Sequence, residues 1–429
     1  MRSGLLWRRF ATAVGLYASV GLGLLVSVVA WRELGKHDFG LFATVVAAAG
    51  LFESLLDLTV EESLTKYGFR YIATEDWGRL RRLFAVAVKL KLAGALLALV
   101  ALAAFAAVAN SVYDVRGLAL PMLVVAFLPL VQTQEDVAAT ALLLRSRYDI
   151  RAAFLVLSMA LRLIGVGVGA HFGVVQAVVG MVVAQAVATA AVGVAGIAAY
   201  RRFPSTPASP LGDHRAEIAG FVVRSSVSTG ILSLRTSLTP LLLGIVSSTD
   251  AVGLLRVAQA PQSGLTAASS PVRLILLTEQ TRDWEHGRER VVLSGIRRYM
   301  TMTTALMAVA VPIFYVAMPW LIRIVFGRDA SGATVGARII LIAAALQLVY
   351  GWSKSLPVSI GRPQLRIWAH GLEAAVLLPL VLLFGARWGV TGAAVATLVS
   401  TVAFVSLWTV LLLRLRSEVA ARGPAAVPS

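Results

Sequence analysis

The sequence predicts an all-α polytopic membrane protein, with 12 transmembrane helices in two parallel-repeat six-helix bundles around a central cleft. Composition gives the first reason. Of 429 residues, 58% are hydrophobic and 14% charged, whereas soluble domains carry about 25% charged residues. Periodicity gives the second. The apolar residues recur in blocks of roughly 20, each long enough to cross about 30 Å of hydrocarbon. The blocks are solidly apolar, not alternating, which selects helices over the shorter strands of a barrel. The third is the distribution of basic residues, which collect in every second connection.

The spans fall at 10–30, 39–60, 84–109, 117–144, 152–170, 174–199, 218–246, 251–277, 299–319, 336–358, 367–386 and 390–413. Arg2, Arg8 and Arg9 ahead of the first span imitate a signal peptide, but the run to Ala30 is too long for one. One set of connections, with both termini, holds 24 of the 39 Lys+Arg, and the other set holds 6. That bias predicts an inner-membrane protein with both termini cytoplasmic. The net charge of +17 follows from the same bias. A nucleic-acid role is set aside because no polar segment is long enough to fold as a basic domain. The chain has no Cys, which excludes disulfides and thiolate chemistry.

The Pro- and Ser-rich stretch RRFPSTPASPLGDHR (201–215) reads as the join between halves. The expected division is 1–199, a linker at 200–217, and 218–429 with a short cytoplasmic tail. Weak internal similarity supports it. Asp38-Phe39-Gly40-Leu41 matches Ala251-Val252-Gly253-Leu254, Arg147 and Arg151 match Arg362 and Arg366, and FGVVQAVVG (172–180) matches WGVTGAAVA (388–396). Units of six helices begin and end on one side, so the repeats are parallel. Two such bundles with a cleft between them suit alternating access.

Four passages carry a family resemblance: LGKHDFGLFATVVAAAGLFESLLDLTVEESLTKY (34–67), LLLGIVSSTDAVGLLRVAQAPQSGL (241–265), GRPQLR (361–366) and WGVTGAAVATLVS (388–400). In their order and spacing the chain resembles the polysaccharide (O-antigen type) flippases of the multidrug, oligosaccharidyl-lipid and polysaccharide exporter superfamily. It departs from the family's pattern at Thr239-Pro240, where many relatives carry an acid. The resemblance implies a flippase that moves an undecaprenyl-diphosphate-linked oligosaccharide between leaflets. It also implies membrane lipids, polysaccharide polymerases and glycosyltransferases as partners. A multidrug or cation antiporter of the same superfamily is the competing transporter reading.

A charge at mid-membrane costs at least about 2.5–3.5 kcal/mol, so each needs a partner or a purpose. Matched by depth, Glu53 pairs with Lys89, Glu135 or Asp136 with Arg162, and Lys354 with Glu373. These pairs serve either ion coupling or plain helix bridging, and both readings stand open. On the seventh and eighth spans, Arg224, Arg235, Arg256 and Gln259 have no acid within either span. Arg224 and Arg235 are three helical turns apart, about 16 Å, on one expected face. A planar guanidinium donates two parallel hydrogen bonds to a phosphate, so these residues are the candidate contacts for an anionic diphosphate.

No catalytic set emerges. Phosphate-loop, Asp-x-Asp, HExxH and GxSxG motifs are missing, and the five histidines are scattered. No external connection has room for a catalytic domain, which weighs against a membrane-embedded glycosyltransferase or polymerase. No cofactor and no metal are expected.

Overall fold

The computed structural model describes residues 2–421 apart from 57–59, 213, 266–275, 277, 278, 281, 285 and 363; the side chains of 2–13, 228, 229, 232, 235 and 358 also lie outside the description. Every regular element among the described residues is helical. Eight helical stretches are long and apolar enough to cross a membrane. Two of them, Arg2–Leu56 and Gln364–Ala421, each turn back on a glycine, Gly35 (φ 73°) and Gly389 (φ 53°), and so hold two helices apiece. Glycine occupies both corners because an L side chain at positive φ meets its own carbonyl.

The seventh expected span, 218–246, is observed over His214–Val246, and it is not one regular helix. It runs as α-helix His214–Ser233, a π-turn Leu234–Leu238, and α-helix Thr239–Val246. Pro240 stands at the start of the last piece. Lacking an N–H, it cannot bond the carbonyl four residues back, and the wider turn takes up the mismatch. The span expected at 251–277 begins as Thr249–Ala258, but much of its second half lies outside the described residues.

Prolines also shape the span expected at 117–144. It consists of three short helices, Ala119–Val125, Leu128–Gln132 and Glu135–Leu144. The first ends at the residue four before Pro129, where the hydrogen bond to a proline is missing. The side chain of Asn110, the only Asn in the chain, caps its start by accepting from the N–H groups of Leu118 and Ala119, both at 3.0 Å.

Packing divides the chain into two compact units, Met1–Gly253 and Leu254–Ser429. The helix His214–Ser233 therefore belongs by packing to the same unit as the first six spans. The connection expected as the linker packs onto that unit. Phe203 and Leu211 are buried, Ser209 N–H donates to the Gly78 carbonyl at 3.1 Å, and Arg145 lies 5.3 Å from the Phe203 ring.

Small residues set the closest approaches. Between helices Tyr148–Ala170 and Val174–Tyr200, a Cβ on Gly165 would lie 2.3 Å from the Gly180 carbonyl oxygen. Large aliphatic residues face outward instead, among them Leu97 (61% exposed), Val194 (71%) and Val316 (75%). Small residues between helices and large ones outside is the pattern of helices packed in lipid, where burial of apolar surface gives no driving force.

Candidate functional site

The first unit encloses a group of charges on four segments. Lys91, on helix Trp77–Val112, is 2% exposed. Its Nζ lies 2.7 Å from Asp136 Oδ2 and 3.3 Å from Glu61 Oε2. Glu53, Lys91, Gln132, Thr133 and Asp136 line one small cavity of about 20 Å³, room for about one water molecule. The Asp136 side chain is 48% exposed and that of Glu61 34%, so two of the carboxylates open onto the surface of the unit.

Lys91 corrects the sequence reading, which paired Glu53 with Lys89. Lys89 is exposed. Two residues along a helix turn the side chain through about 200°, so the two lysines face opposite ways. The signal was present in the sequence. Ala87, Gly94, Ala95 and Ala98 are small and buried, with Lys91 among them, while Leu92, Leu96, Leu97 and Val100 on the other side are exposed. Small residues mark the packed face of a membrane helix, and Lys91 lies on that face.

Beside this group, Glu135 and Arg162 meet through an amide. Arg162 Nη2 donates to Gln185 Oε1 at 2.8 Å, and Gln185 Nε2 donates to Glu135 Oε2. Thr189 Oγ1 donates to the same carboxylate oxygen at 3.4 Å. The expected pairing of Arg162 with Glu135 thus takes the form of a relay. Asp136, the other candidate partner, turns to Lys91. Glu53 and Glu135 are the carboxylates whose charge reaches Arg162. Arg162 Nε and Gln132 Oε1 are buried without a hydrogen-bond partner among the described residues. In all, Glu53, Glu61, Glu135 and Asp136 surround Lys91 and Arg162. Among the described residues here carboxylates outnumber cations, so the group can take up a proton or a small cation.

The second unit holds a smaller polar group. Glu373 is fully buried and accepts from Gln347 Nε2 at 3.3 Å, with His370 Nδ1 also at 3.3 Å. Gln347 donates in addition to Thr401 at 3.1 Å. Lys354, the partner expected for Glu373, is half-buried in the short helix Gly351–Lys354. Sequence reasoning missed Gln185, Gln347 and His370, because an amide or an imidazole in an apolar span gives no fixed charge to match.

Of the candidate anion contacts, Arg224 is exposed, and its Nε donates to the Gly220 carbonyl at 3.0 Å. Arg235 lies on the π-turn, but its side chain, with that of Ser228, falls outside the described residues. Arg256 is exposed and Gln259 half-buried, both in the second unit.

A family model described as polysaccharide biosynthesis protein matches residues 8–272, more than half of the chain. This chain belongs to that family. No curated protein matches. Among solved structures, the fold is similar to the lipid II flippase MurJ in an inward closed conformation, with a TM-score of 0.72, 11% identity, and coverage of 96% of this chain and 90% of that one. An inward-facing MATE-family multidrug resistance transporter of the MOP superfamily matches at 0.68, with 13% identity, 97% of this chain and 95% of that one. A MOP superfamily transporter from Pyrococcus furiosus matches at 0.65, with 12% identity and 96% of each chain. The family's chain thus has the fold of multi-pass membrane transporters and flippases, which are not enzymes.

Proposed function

We propose that the protein moves an undecaprenyl-diphosphate-linked oligosaccharide across the cytoplasmic membrane by alternating access. The match to the polysaccharide biosynthesis family over residues 8–272 carries this reading. Under it, both termini are cytoplasmic, the halves 1–199 and 218–429 act as two bundles, and polymerases and glycosyltransferases are its partners. Arg235, Arg224, Arg256 and Gln259 offer successive anion contacts to the diphosphate. The π-turn at Leu234–Leu238 supports the assignment of Arg235, since such turns are frequent at functional sites.

Complementation of surface polysaccharide in a flippase-deficient strain tests the reading. Arg235→Ala abolishes export at normal expression, and Arg235→Lys restores part of it, because a point charge loses the bidentate geometry. Full export by Arg235→Ala removes the substrate role. A cation-coupled drive draws on the excess of carboxylates around Lys91 and Arg162. Each charge moved with the potential would contribute about 2.3 kcal/mol per 100 mV.

A further inference from the structure

The two units carry the same groove at the same sequence positions. In the first, a cavity of about 220 Å³ lies between helices Trp77–Val112, Glu135–Leu144 and Val174–Tyr200. In the second, a cavity of about 620 Å³ lies between Glu289–Phe326, the end of Thr334–Val349 and the last part of Gln364–Ala421. Adding 216 to the residue numbers of the first gives those of the second at eight of eleven positions, for example Phe84 and Met300, Gln134 and Tyr350, Gly193 and Thr409, Tyr200 and Arg416. The same offset relates 172–180 to 388–396.

The equivalence exposes one difference of charge. In the first unit Arg81 is satisfied inside the protein. Its guanidinium lies 5.6 Å from the ring centre of Tyr200, and its Nε donates to the Pro204 carbonyl at 3.4 Å. The equivalents 216 residues later are Arg297 and Arg416. Both line the larger groove. Neither guanidinium has a carboxylate or other acceptor among the described residues. A stacked Arg–Tyr pair in one unit is replaced by two like charges in the other.

The rest of the groove says what separates those charges. Below the arginines its walls include Met300, Leu412 and Leu413. It flanks the helix Glu289–Phe326, whose most apolar window is only 17% buried, with Met302 and Leu306 more than 60% exposed. That surface faces lipid, so the occupant has an apolar body and an anionic head. Arg297 lies in a basic connection and Arg416 in the C-terminal stretch, both at the level of the cytoplasmic headgroups on the proposed topology. The anions abundant at that depth are the phosphates of acidic phospholipids. We propose that the groove is a binding site for an anionic glycerophospholipid, its phosphate bridging Arg297 and Arg416 and one acyl chain lying against Met300, Leu412 and Leu413. The site stands apart from the substrate contacts and rests on the proposed function only for its topology, with the C-terminus cytoplasmic.

Native mass spectrometry of the detergent-purified full-length protein tests this, with phosphatidylglycerol and phosphatidylcholine of matched chains as probes. Phosphatidylglycerol is retained about tenfold better than phosphatidylcholine. Arg297→Gln and Arg416→Gln each remove that preference. Arg416→Tyr rebuilds the Arg–Tyr stack of the first unit and removes the preference while leaving thermal stability unchanged, which separates loss of the site from loss of the fold. Equal retention of the two lipids by the unaltered protein overturns the proposal, and so does an undiminished preference in Arg416→Tyr. Displacement of the lipid by millimolar inorganic phosphate, or by a polyprenyl phosphate at equal concentration, overturns the choice of occupant.

Discussion

Lys91 has its ammonium within 3.3 Å of two carboxylates and is almost wholly enclosed. Removing one partner of a buried ion pair strands the other charge, at a cost of about 3–5 kcal/mol. The half-exposed Asp136 lowers that figure here, since water screens it. Lys91→Met therefore destabilises the protein, measured as a lower melting temperature of the purified chain, and Lys91→Met with Asp136→Asn recovers part of the loss. Lys89→Ala leaves the melting temperature within a degree or so of the parent. Equal effects of Lys89→Ala and Lys91→Met would show that Lys91 is not the enclosed lysine. The relay from Arg162 through Gln185 to Glu135 gives a second expectation. Gln185→Leu removes both bonds and mimics Arg162→Leu in stability and in export. A swap of Arg162 and Glu135 does not rescue, because the amide between them has its donor and acceptor ends fixed toward the original charges. Rescue by the swap would mean that the two charges act directly on each other.

At the scale of elements, helix pairs are held by what is missing from their side chains. Gly165 and Gly180 let two helices touch through backbone, with the added Cβ of either lying 2.3 Å or less from the other's carbonyl oxygen. Gly165→Val cannot be accommodated without parting the helices, and loss of folded protein on size-exclusion chromatography reports it. Gly193 has no atom within 4 Å of an added Cβ. Gly193→Ala folds normally and gains about 0.5–1 kcal/mol from lower backbone freedom in the unfolded chain. If both substitutions behave alike, the two helices do not touch through backbone at Gly165. Element boundaries were legible in the sequence to the extent that apolar length decides them. The helices overrun the expected spans, Glu289–Phe326 against 299–319 for instance, because polar flanks continue helical outside the hydrocarbon. The π-turn was not legible, since Pro240 announces a disturbed helix but not the form of the disturbance.

At the scale of the whole molecule, two stretches matched by local similarity also touch. Gly40 and Gly253, matched by their surrounding sequence, pack against each other, with a Cβ on Gly253 only 3.1 Å from Gly40 Cα. His37 and Asp250 beside them are hydrogen-bonded at 3.0 Å. Sequence alone could match the two stretches but not say that they touch here. Depth in the membrane was legible in the sequence but the face of the helix was not, so Lys89 was read as the inward lysine where Lys91 is the enclosed one. Topology remains the most direct test at this scale. Ala208→Cys, in a chain without native Cys, stays unlabelled by an impermeant thiol reagent applied outside intact cells and reacts after permeabilisation. Labelling from outside would invert the orientation.

The burial of Lys91 has a consequence for how the chain is made. Synthesis delivers Lys91 to the membrane 45 residues before Asp136. Glu61 precedes it, so for that interval Glu61 is the partner within reach. A lone lysine in hydrocarbon costs about 2.5–3.5 kcal/mol. The segment carrying Glu61 and the helix Trp77–Val112 therefore enter the bilayer as a pair, and Asp136 arrives later to complete a site whose first half is already assembled.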